Sequence, residues 1–470
     1  MADYSDNRYY KLYKAQKSNQ FNVAKASYYR RIEKLNALQR AMQYTYKDQL
    51  REALYADFKK PTIETDMSEI YLVVKEIKYA RKNLWRWMKD KRVGTPLALL
   101  GTRSKIVYEP KGVCLIISPW NYPVTLTFSP LVSAIASGNT AIIKPSELTP
   151  NTSAVMAEIV KSLYDENEVA LIEGEVEVAQ ELLKLPFNHI HFTGSPRVGK
   201  LIMKAAAENL ASVTLELGGK SPVIIDKKVD LEYAARSLAW IKHYNNGQTC
   251  IAPDYLLVDA SIKDKFIAIY KEKLKLFYTD HPEQSTAYSR VVSKRHYERL
   301  KNAIVDAKDK GATVESGGTC DDSESYIAPT LISDVSEDAT LMKEEIFGPI
   351  LPIKAYKDIN EVIEYVNSKE KPLALYIYSK RKRIVQSIIK NTRAGTTGIN
   401  NAGLQFVNPY LPFGGSNNSG IGKAHGYEGF KSFSNARAVL NRVHWGPISW
   451  LKPPYRKFTQ LVADVTIKWF

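Results

Sequence analysis

The stretch that decides the fold is HIHFTGSPRVGKLIMKAAAENLASVTLEL, residues 189–217. It begins with a strand-like run at 189–193 and ends with another at 212–217. Between them, residues 198–210 are rich in Ala, Leu, Lys and Glu, which predicts a helix. Strand, helix and strand in this order predict two parallel strands joined by a crossover helix.

The same alternation continues on both sides of this stretch. Upstream, residues 140–144 predict a strand and 152–164 a helix. Downstream, strand and helix alternate again over 222–243 and 255–277, so a second unit starts near Gly218. The predicted fold class is α/β, with parallel sheets covered by helices.

The first third of the chain and its end do not show this alternation of strands and helices. Residues 20–60 and 67–89 predict helices, and 105–110 and 112–118 predict strands around a turn. The end of the chain, 458–470, is partly apolar. A docked tail is the favoured interpretation of that segment, with a cover for a partner or a membrane surface as the alternative.

Composition limits the function classes. The chain has 470 residues, which predicts two or three domains. Its net charge of +16 is spread along the chain without a basic stripe, so we expect a basic surface and no nucleic-acid partner. Three separated cysteines exclude a disulfide framework and indicate a reducing compartment. With no signal-like N-terminus, the expected location is cytoplasmic.

Cys250 is a candidate nucleophile. It lies in NNGQTCIAP, residues 245–253, on a turn after a helical pattern. The alternative is an inert apolar filler, which is the interpretation that we give to Cys114 and Cys320.

Glu216 and Asn121 are candidates for acid–base and oxyanion roles. Glu216 ends an apolar strand, where burial of a carboxylate is costly unless it has a task. Asn121 lies between Pro119 and Pro123, and this stiff backbone suits a preorganised donor. The alternatives are a solvated strand end and a turn asparagine.

The turn from Gly194 to Gly199 opens a helix, whose free N–H groups can bind phosphate. The GxGxxG fingerprint is missing. The alternative is a plain turn with Ser195 as the helix N-cap.

Seven segments occur together and in a fixed order: PWN (119–121), IIKPSE (142–147), FTGSPRVGK (192–200), LELGGKSP (215–222), NNGQTC (245–250), EEIFGPILP (344–352) and PFGGSNNSG (412–420). In this combination the chain resembles the aldehyde dehydrogenase superfamily over residues 20–435. It is most similar to the class 3 branch of fatty and coniferyl-type aldehyde dehydrogenases.

The resemblance implies a mechanism. Cys250 would attack the aldehyde carbonyl as a locally activated thiolate. The Asn121 side chain and the Cys250 backbone N–H would hold the oxyanion. Glu216 would activate the water that hydrolyses the resulting thioester. The product would be a free carboxylic acid.

The resemblance also implies NAD or NADP as cofactor, with NAD slightly favoured because the Glu147 carboxylate repels a 2′-phosphate. The implied cofactor contacts are Trp120, Lys144, Glu147, Gly194, Ser195, Gly199, Leu217, Glu345 and Phe347. Tyr122, Trp240 and Phe413 would line an aromatic tunnel for medium- or long-chain aliphatic or aromatic aldehydes. No metal site is expected. Asn246 and Ala424 depart from the family pattern, which puts chain-length preference in doubt.

The implied architecture has a cofactor domain (1–94 and 115–218), a catalytic domain (219–412) and bridging segments (95–114 and 413–470). Strands of the bridge imply a homodimer, and weak membrane association is the further alternative. Two rival functions stay open. One is an acylating, coenzyme A-dependent dehydrogenase, which Glu216 argues against. The other is a non-catalytic dinucleotide-binding protein.

Overall fold

Four sheets, two large and two small, organise the computed structural model, which describes residues 4–469. The strands are β1 Lys91–Val93, β2 Thr102–Pro110, β3 Val113–Ile117, β4 Thr140–Lys144, β5 Val169–Leu171, β6 His189–Gly194, β7 Ser212–Leu217, β8 Pro222–Ile225, β9 Tyr255–Asp259, β10 Thr313–Ser316, β11 Cys320–Asp321, β12 Tyr326–Ile327, β13 Thr330–Ser333, β14 Ile350–Tyr356, β15 Ala374–Tyr378, β16 Thr396–Ile399, β17 Gly420–Ile421 and β18 Ser434–Arg442.

Helices connect and cover these strands. They are α1 Tyr10–Ala24, α2 Tyr28–Arg40, α3 Lys47–Phe58, α4 Thr62–Thr65, α5 Tyr71–Trp87, α6 Pro123–Ser137, α7 Pro150–Leu163, α8 Val176–Leu183, α9 Pro196–Glu208, α10 Leu231–His243, α11 Lys263–Tyr278, α12 Lys294–Asp309, α13 Thr340–Lys343, α14 Ile359–Ser368, α15 Lys382–Asn391, α16 Gly426–Ser432 and α17 Lys457–Trp469.

The first sheet has six strands in the order β17-β7-β6-β3-β4-β5. All neighbours are parallel except β17, which runs antiparallel to β7. Helices cover both faces, so β3 and β4 are buried over their whole length. The predicted strand, helix and strand of residues 189–217 are confirmed as β6, α9 and β7.

The second sheet has seven strands in the order β10-β13-β14-β9-β8-β15-β16, and only β10 is antiparallel to its neighbour. Alternate residues of β8 face two separate hydrophobic clusters, with Val223 and Ile225 on one side and Ile224 on the other. The predicted α/β fold class is therefore confirmed.

The third sheet is small and antiparallel, in the order β1-β2-β18. Strand β2 pairs with β18 over nine residues, from Thr102↔Arg442 to Pro110↔Ser434. This confirms that residues 105–110 and the C-terminal stretch form a separate bridging sheet.

Some predicted elements differ from the observed ones. The single helix predicted at 20–60 is three helices, because the chain turns at 25–27 and again near Tyr46, and α1 begins at Tyr10. The short strand β5 and helix α8 were not predicted. The predicted domain boundaries stay a prediction, but the one between 114 and 115 cuts through β3, and β17 of the bridging segment pairs with β7.

Within residues 4–469, no helix is long and apolar enough to cross a membrane.

Candidate active site

Cys250 follows a strained turn at the end of α10. Asn245 and Asn246 both have left-handed backbone conformations, with φ of 54° and 56°. Such strain persists only where surrounding contacts hold it. Here Asn246 Nδ2 donates to the Ser289 carbonyl at 3.0 Å, and Gln248 Nε2 donates to the Arg290 carbonyl at 3.0 Å. The backbone that leads to Cys250 is thus anchored to the segment before α12.

Glu216 lies in β7 and is only 5% exposed. Among residues 4–469, no hydrogen-bond partner satisfies its Oε1 atom. Burial raises the pKa of Glu216 to about 7, and the nearby Lys423 ammonium acts weakly in the opposite direction. A carboxylate with a pKa near neutrality suits a general base.

The Cys250 thiol lies in the same buried surroundings as Glu216. Burial raises its pKa, and the carboxylates of Glu216 and Glu345 raise it further. The backbone N–H groups of Cys250 and Ile251 oppose the shift. The local activation expected for Cys250 stays a prediction, and in this arrangement it does not come from a lowered pKa. The groups that face the thiol are carboxylates instead of the cations that stabilise a thiolate.

Asn121 is buried beside the Cys250 loop. Its Nδ2 donates one hydrogen to the Gln248 carbonyl at 3.0 Å, and an amide nitrogen carries a second hydrogen. The Asn121 carbonyl accepts from Asn245 Nδ2 at 2.9 Å. The amide predicted to hold an oxyanion is thus fixed against the loop that carries Cys250.

A buried ion pair behind Asn121 was not predicted. Lys60 Nζ and Glu69 Oε1 lie 2.6 Å apart, and both side chains are fully buried. The Lys60 ammonium is 3.5 Å from the Asn121 carbonyl and 4.1 Å from the centre of the Tyr122 ring. Glu69 also accepts from the Thr125 backbone N–H at 2.9 Å. No local pattern marks this pair, since a lysine after a helix ordinarily points to solvent.

Two further buried carboxylates hold the site's loops. Glu64 accepts from the Asn245 backbone N–H at 2.8 Å, and burial raises the pKa of Glu64 to about 7. Asp254 accepts from the Ile346 N–H at 2.9 Å and pairs with Lys220. Lys220 also donates to the Glu344 carbonyl at 2.8 Å, which fixes the loop that carries Glu345.

Lys144 and Glu147 lie together at the end of β4. Lys144 Nζ is 2.7 Å from Glu147 Oε2, with the lysine buried and the carboxylate about one-third exposed. A buried ammonium that orients a half-buried carboxylate suits contacts to ribose hydroxyls, as the resemblance implies.

The turn from Gly194 to Gly199 caps α9. Ser195 accepts from the Val198 N–H, and Pro196 has no N–H to offer. The Gly199 N–H donates to the Ser195 carbonyl, so Arg197 carries the N–H left for an anion in this first turn. A side chain at Gly199 would approach Leu217 to 2.8 Å, which explains the glycine.

Glu345, Phe347 and Trp120 meet near the carboxyl end of β7. The Glu345 carboxylate accepts from the Gly219 N–H and occupies the space that a side chain at Gly218 would need. Burial raises the pKa of Glu345 to about 7. Trp120 and Phe347 are in edge contact, with ring centres 5.4 Å apart.

The three aromatic residues predicted for the tunnel differ in exposure. Tyr122 is half-buried and its hydroxyl lies 2.6 Å from Thr249 Oγ1, one residue before Cys250. Trp240 is 44% exposed on α10, and Phe413 is 3% exposed and packs on the Phe406 ring. Phe413 belongs to the hydrophobic cluster against which Cys250 packs, and the Trp240 ring is in edge contact with Tyr244, with ring centres 5.7 Å apart.

Comparison with known proteins gives one family. The model of the aldehyde dehydrogenase family matches residues 2–439. The chain belongs to the aldehyde dehydrogenase family. It is therefore an oxidoreductase that acts on aldehydes and forms acids, and the predicted resemblance is confirmed.

Individual relatives cover nearly the whole chain. The 4,4'-diaponeurosporen-aldehyde dehydrogenase of Staphylococcus aureus is 43% identical over 92% of this chain and 94% of its own. Mouse aldehyde dehydrogenase family 3 member B2 is 42% identical over 88% of this chain and 85% of its own. The substrate-bound structure of Staphylococcus aureus AldH superposes with a TM-score of 0.93 at 40% identity. The superposition covers 98% of this chain and 100% of that structure's chain. Aldehyde dehydrogenases with bound NAD+ occur among the other solved structures of this fold.

Proposed function

We propose that this aldehyde dehydrogenase converts apolar aldehydes to free carboxylic acids, with Cys250 as nucleophile and Glu216 as general base. The observation that supports this most directly is the burial of Glu216 beside the Cys250 thiol, which raises the pKa of the carboxyl to about 7. A base poised there is half-ionised at neutral pH and can both take and release a proton.

The first covalent step forms a C–S bond between Cys250 and the aldehyde carbon. The thiol proton moves to one of the two carboxylates that face it, Glu216 or Glu345, and passes on to solvent before the hydrolysis step. The carbonyl oxygen becomes an oxyanion, held by the free amide hydrogen of Asn121 and by the Cys250 N–H. After oxidation the acyl group is a thioester of Cys250.

Hydrolysis then releases the product. A water molecule bonds to the acyl carbon and gives one proton to Glu216. The C–S bond breaks, and the electron pair stays on the Cys250 sulfur, which takes up a proton to restore the thiol. Glu216 must lose this proton before it can act again.

The cofactor in this proposal is NAD or NADP, which accepts the hydride of the aldehyde carbon when bound. Lys144 and Glu147 would hold a ribose, the turn from Gly194 to Gly199 a phosphate, and Glu345 the second ribose. The oriented Lys144–Glu147 pair and the capped α9 terminus fit such a molecule. The negative charge of Glu147 favours NAD slightly over NADP.

The proposed substrates are medium- or long-chain aliphatic or aromatic aldehydes. Three aromatic side chains around the nucleophile's turn, Tyr122, Trp240 and Phe413, support an apolar tunnel. The test is a panel from acetaldehyde to long-chain and benzaldehyde-type substrates, run with both cofactors. We expect kcat/KM to rise with apolar length. A preference for acetaldehyde would contradict the proposal.

The same assay without coenzyme A separates the rival functions. We expect acid and reduced cofactor to form in equal amounts without added thiol. Strict dependence on coenzyme A would indicate an acylating enzyme, and absence of any turnover would indicate a non-catalytic dinucleotide-binding protein.

We further propose a cytoplasmic homodimer, with the domain division given above. Exposed apolar side chains on α17, among them Phe458, Leu461 and Trp469, support a covered surface at the C-terminus. Light scattering of the full chain and of a chain ending at 446 tests the dimer. Co-sedimentation with anionic vesicles tests the weaker alternative, in which this helix lies on a membrane.

A further inference from the structure

The backbone carbonyl of Asn121 is held by two buried donors. Asn245 Nδ2 donates to it at 2.9 Å, and Lys60 Nζ donates to it at 3.5 Å. Both donor side chains are fully buried, since Asn245 and Lys60 are 0% exposed. At its other end, Asn121 donates from Nδ2 to the Gln248 carbonyl at 3.0 Å. The backbone and the side-chain amide of this residue are therefore both held.

Asn245 connects the two loops that meet here. Its Nδ2 atom donates a second hydrogen to the Gln248 carbonyl at 3.1 Å, the acceptor that Asn121 also uses. One amide group thus bonds to the turn before α6 and to the loop that carries Cys250. The left-handed backbone of this asparagine, with φ of 54°, is held by a hydrogen bond from its own N–H to Glu64 Oε2 at 2.8 Å. Asparagine is among the few residues that adopt this conformation readily.

Lys60 contacts both sides of the peptide bond that it holds. Its ammonium lies 3.5 Å from the Asn121 carbonyl oxygen and 4.1 Å from the centre of the Tyr122 ring. Glu69 Oε1 pairs with this ammonium at 2.6 Å. Glu69 Oε2 accepts from the Thr125 N–H at 2.9 Å, one of the amides that the first turn of α6 leaves without an internal partner. The ion pair therefore fixes the turn that presents Asn121.

Stability alone does not account for this ion pair. Two charges lose their hydration on burial, so replacing such a pair by apolar groups of similar volume is often neutral or even stabilising. Lys60 and Glu69 are both fully buried, and the backbone groups that they bond lie in the turn at 121–125. Glu64, on the same segment of the chain, holds the turn before Cys250. This one segment thus holds both loops of the predicted oxyanion site.

We propose that Lys60 and Asn245 are positioning residues for the oxyanion step, and that they act by holding the carbonyl of Asn121. The inference rests on the proposed roles of Asn121 and Cys250. Asn121 Nδ2 has two hydrogens, of which the Gln248 carbonyl accepts one, so the other reaches the oxyanion only while the amide plane is fixed. Pre-organised donors of this kind stabilise the transition state because they need no reorganisation during the reaction. A displacement of about 1 Å can slow such a step by about 10²-fold.

Two independent changes remove the two donors. Asn245→Gly removes the amide and keeps a residue that adopts the left-handed backbone without strain. Lys60→Met combined with Glu69→Leu removes both charges, so no buried charge is left unpaired. Circular dichroism and urea unfolding establish which variants fold. Because the two changes are independent, one of them decides the proposal if the other does not fold.

Each change has a matched control away from the site. Asn400 is also left-handed, with φ of 51°, and its Nδ2 donates to the Ser379 carbonyl at 3.1 Å, so Asn400→Gly removes a comparable amide. Lys34 and Glu168 form another largely buried pair, 2.5 Å apart, so Lys34→Met with Glu168→Leu removes two comparable charges. Asn400 follows β16 and Lys34 lies on α2, so neither belongs to the two loops of the oxyanion site.

The first readout is the rate constant of the initial burst of reduced cofactor, since in the proposed mechanism the oxyanion forms before the hydride leaves. We expect about a tenfold lower burst rate in both test variants, as removal of a whole oxyanion donor costs about 10²–10³-fold. The aldehyde concentration that gives half of the maximal burst rate should stay unchanged, because the donor acts in the transition state. Both controls should keep the burst rate of the parent.

A second kinetic comparison shows whether the effect passes through Asn121. Asn121→Ala removes the donor itself and should lower the burst rate by about 10²–10³-fold. Adding either test change to Asn121→Ala should cause little further loss, because the effects of residues that act through one group are not additive. A full further loss of about tenfold would overturn the proposal, since the two residues would then act elsewhere.

The third readout is a crystal structure of each folded test variant. We expect the Asn121 side chain to leave its 3.0 Å contact with the Gln248 carbonyl while the remaining fold superposes on the parent. A purely structural role predicts a lower free energy of unfolding with a parent burst rate and an unmoved Asn121, which would overturn the proposal. If the unsubstituted enzyme gives no burst with any aldehyde, the proposed function fails instead. The crystal structures then decide alone whether Lys60 and Asn245 position Asn121.

Discussion

Replacing Glu216 by Gln removes the buried carboxylate while keeping its shape. The pKa of this carboxyl is about 7 in the folded protein against an ordinary value of 4.5. Each pKa unit by which the folded and unfolded states differ corresponds to about 1.4 kcal/mol. Ionised Glu216 at pH 8 therefore destabilises the fold by about 3 kcal/mol.

The sign follows from proton binding. Between pH 4.5 and about 7 the folded state binds more protons than the unfolded state, since its pKa is the higher one. The parent enzyme therefore loses this stability as the pH rises through that interval, and Glu216→Gln does not.

The assay is urea unfolding of parent and variant at pH 5 and pH 8. The free energy of unfolding of Glu216→Gln, relative to the parent, should rise by about 2.5 kcal/mol between the two pH values. Any constant effect of the new amide cancels in this comparison. A relative stability that does not change with pH would refute the argument that burial sets the pKa.

The same variant has a kinetic signature. Turnover of the parent should rise with pH through about 7, as Glu216 becomes ionised. Glu216→Gln should keep the burst of reduced cofactor, lose turnover by about 10²–10⁴-fold and lose this pH dependence. Unchanged steady-state turnover would exclude Glu216 as the base for hydrolysis.

Three other substitutions test separate parts of the site. Cys250→Ser should abolish both burst and turnover, and a retained burst would exclude Cys250 as nucleophile. Lys60→Met should lower the free energy of unfolding by about 3–5 kcal/mol, because it leaves Glu69 charged and unpaired. The double variant Lys60→Met with Glu69→Leu should recover most of this loss. Equal losses of the single and the double variant in urea unfolding would contradict this. Glu147→Gln should raise the preference for NADP, measured as the ratio of kcat/KM values for the two cofactors, by about tenfold, the equivalent of 1.4 kcal/mol; an unchanged ratio would remove Glu147 from that role.

The fold was largely predictable because its signal is local. Strands and helices alternate along the chain, and the spacing of their apolar residues reflects which face is buried. Residues 189–217 contain a complete strand, helix and strand. The helix at 20–60 was predicted too long because the turns that divide it carry neither glycine nor proline.

The candidate residues were also found in the sequence, since Cys250, Glu216 and Asn121 lie in short segments whose order is distinctive. Their identity alone did not give their electrostatics. The carboxylates that raise the pKa of the Cys250 thiol, Glu216 and Glu345, come from distant positions in the chain, so no local pattern around Cys250 predicts them.

The sequence by itself thus determined the α/β fold, the family and the candidate residues for the chemistry, because these depend on residue type and spacing. Only the tertiary structure decided how those residues are tuned. The raised pKa of Glu216 and the burial of the Lys60–Glu69 pair against Asn121 both arise where segments far apart in sequence exclude water together. Burial and long-range contact set those properties, and neither is written in any local stretch of residues.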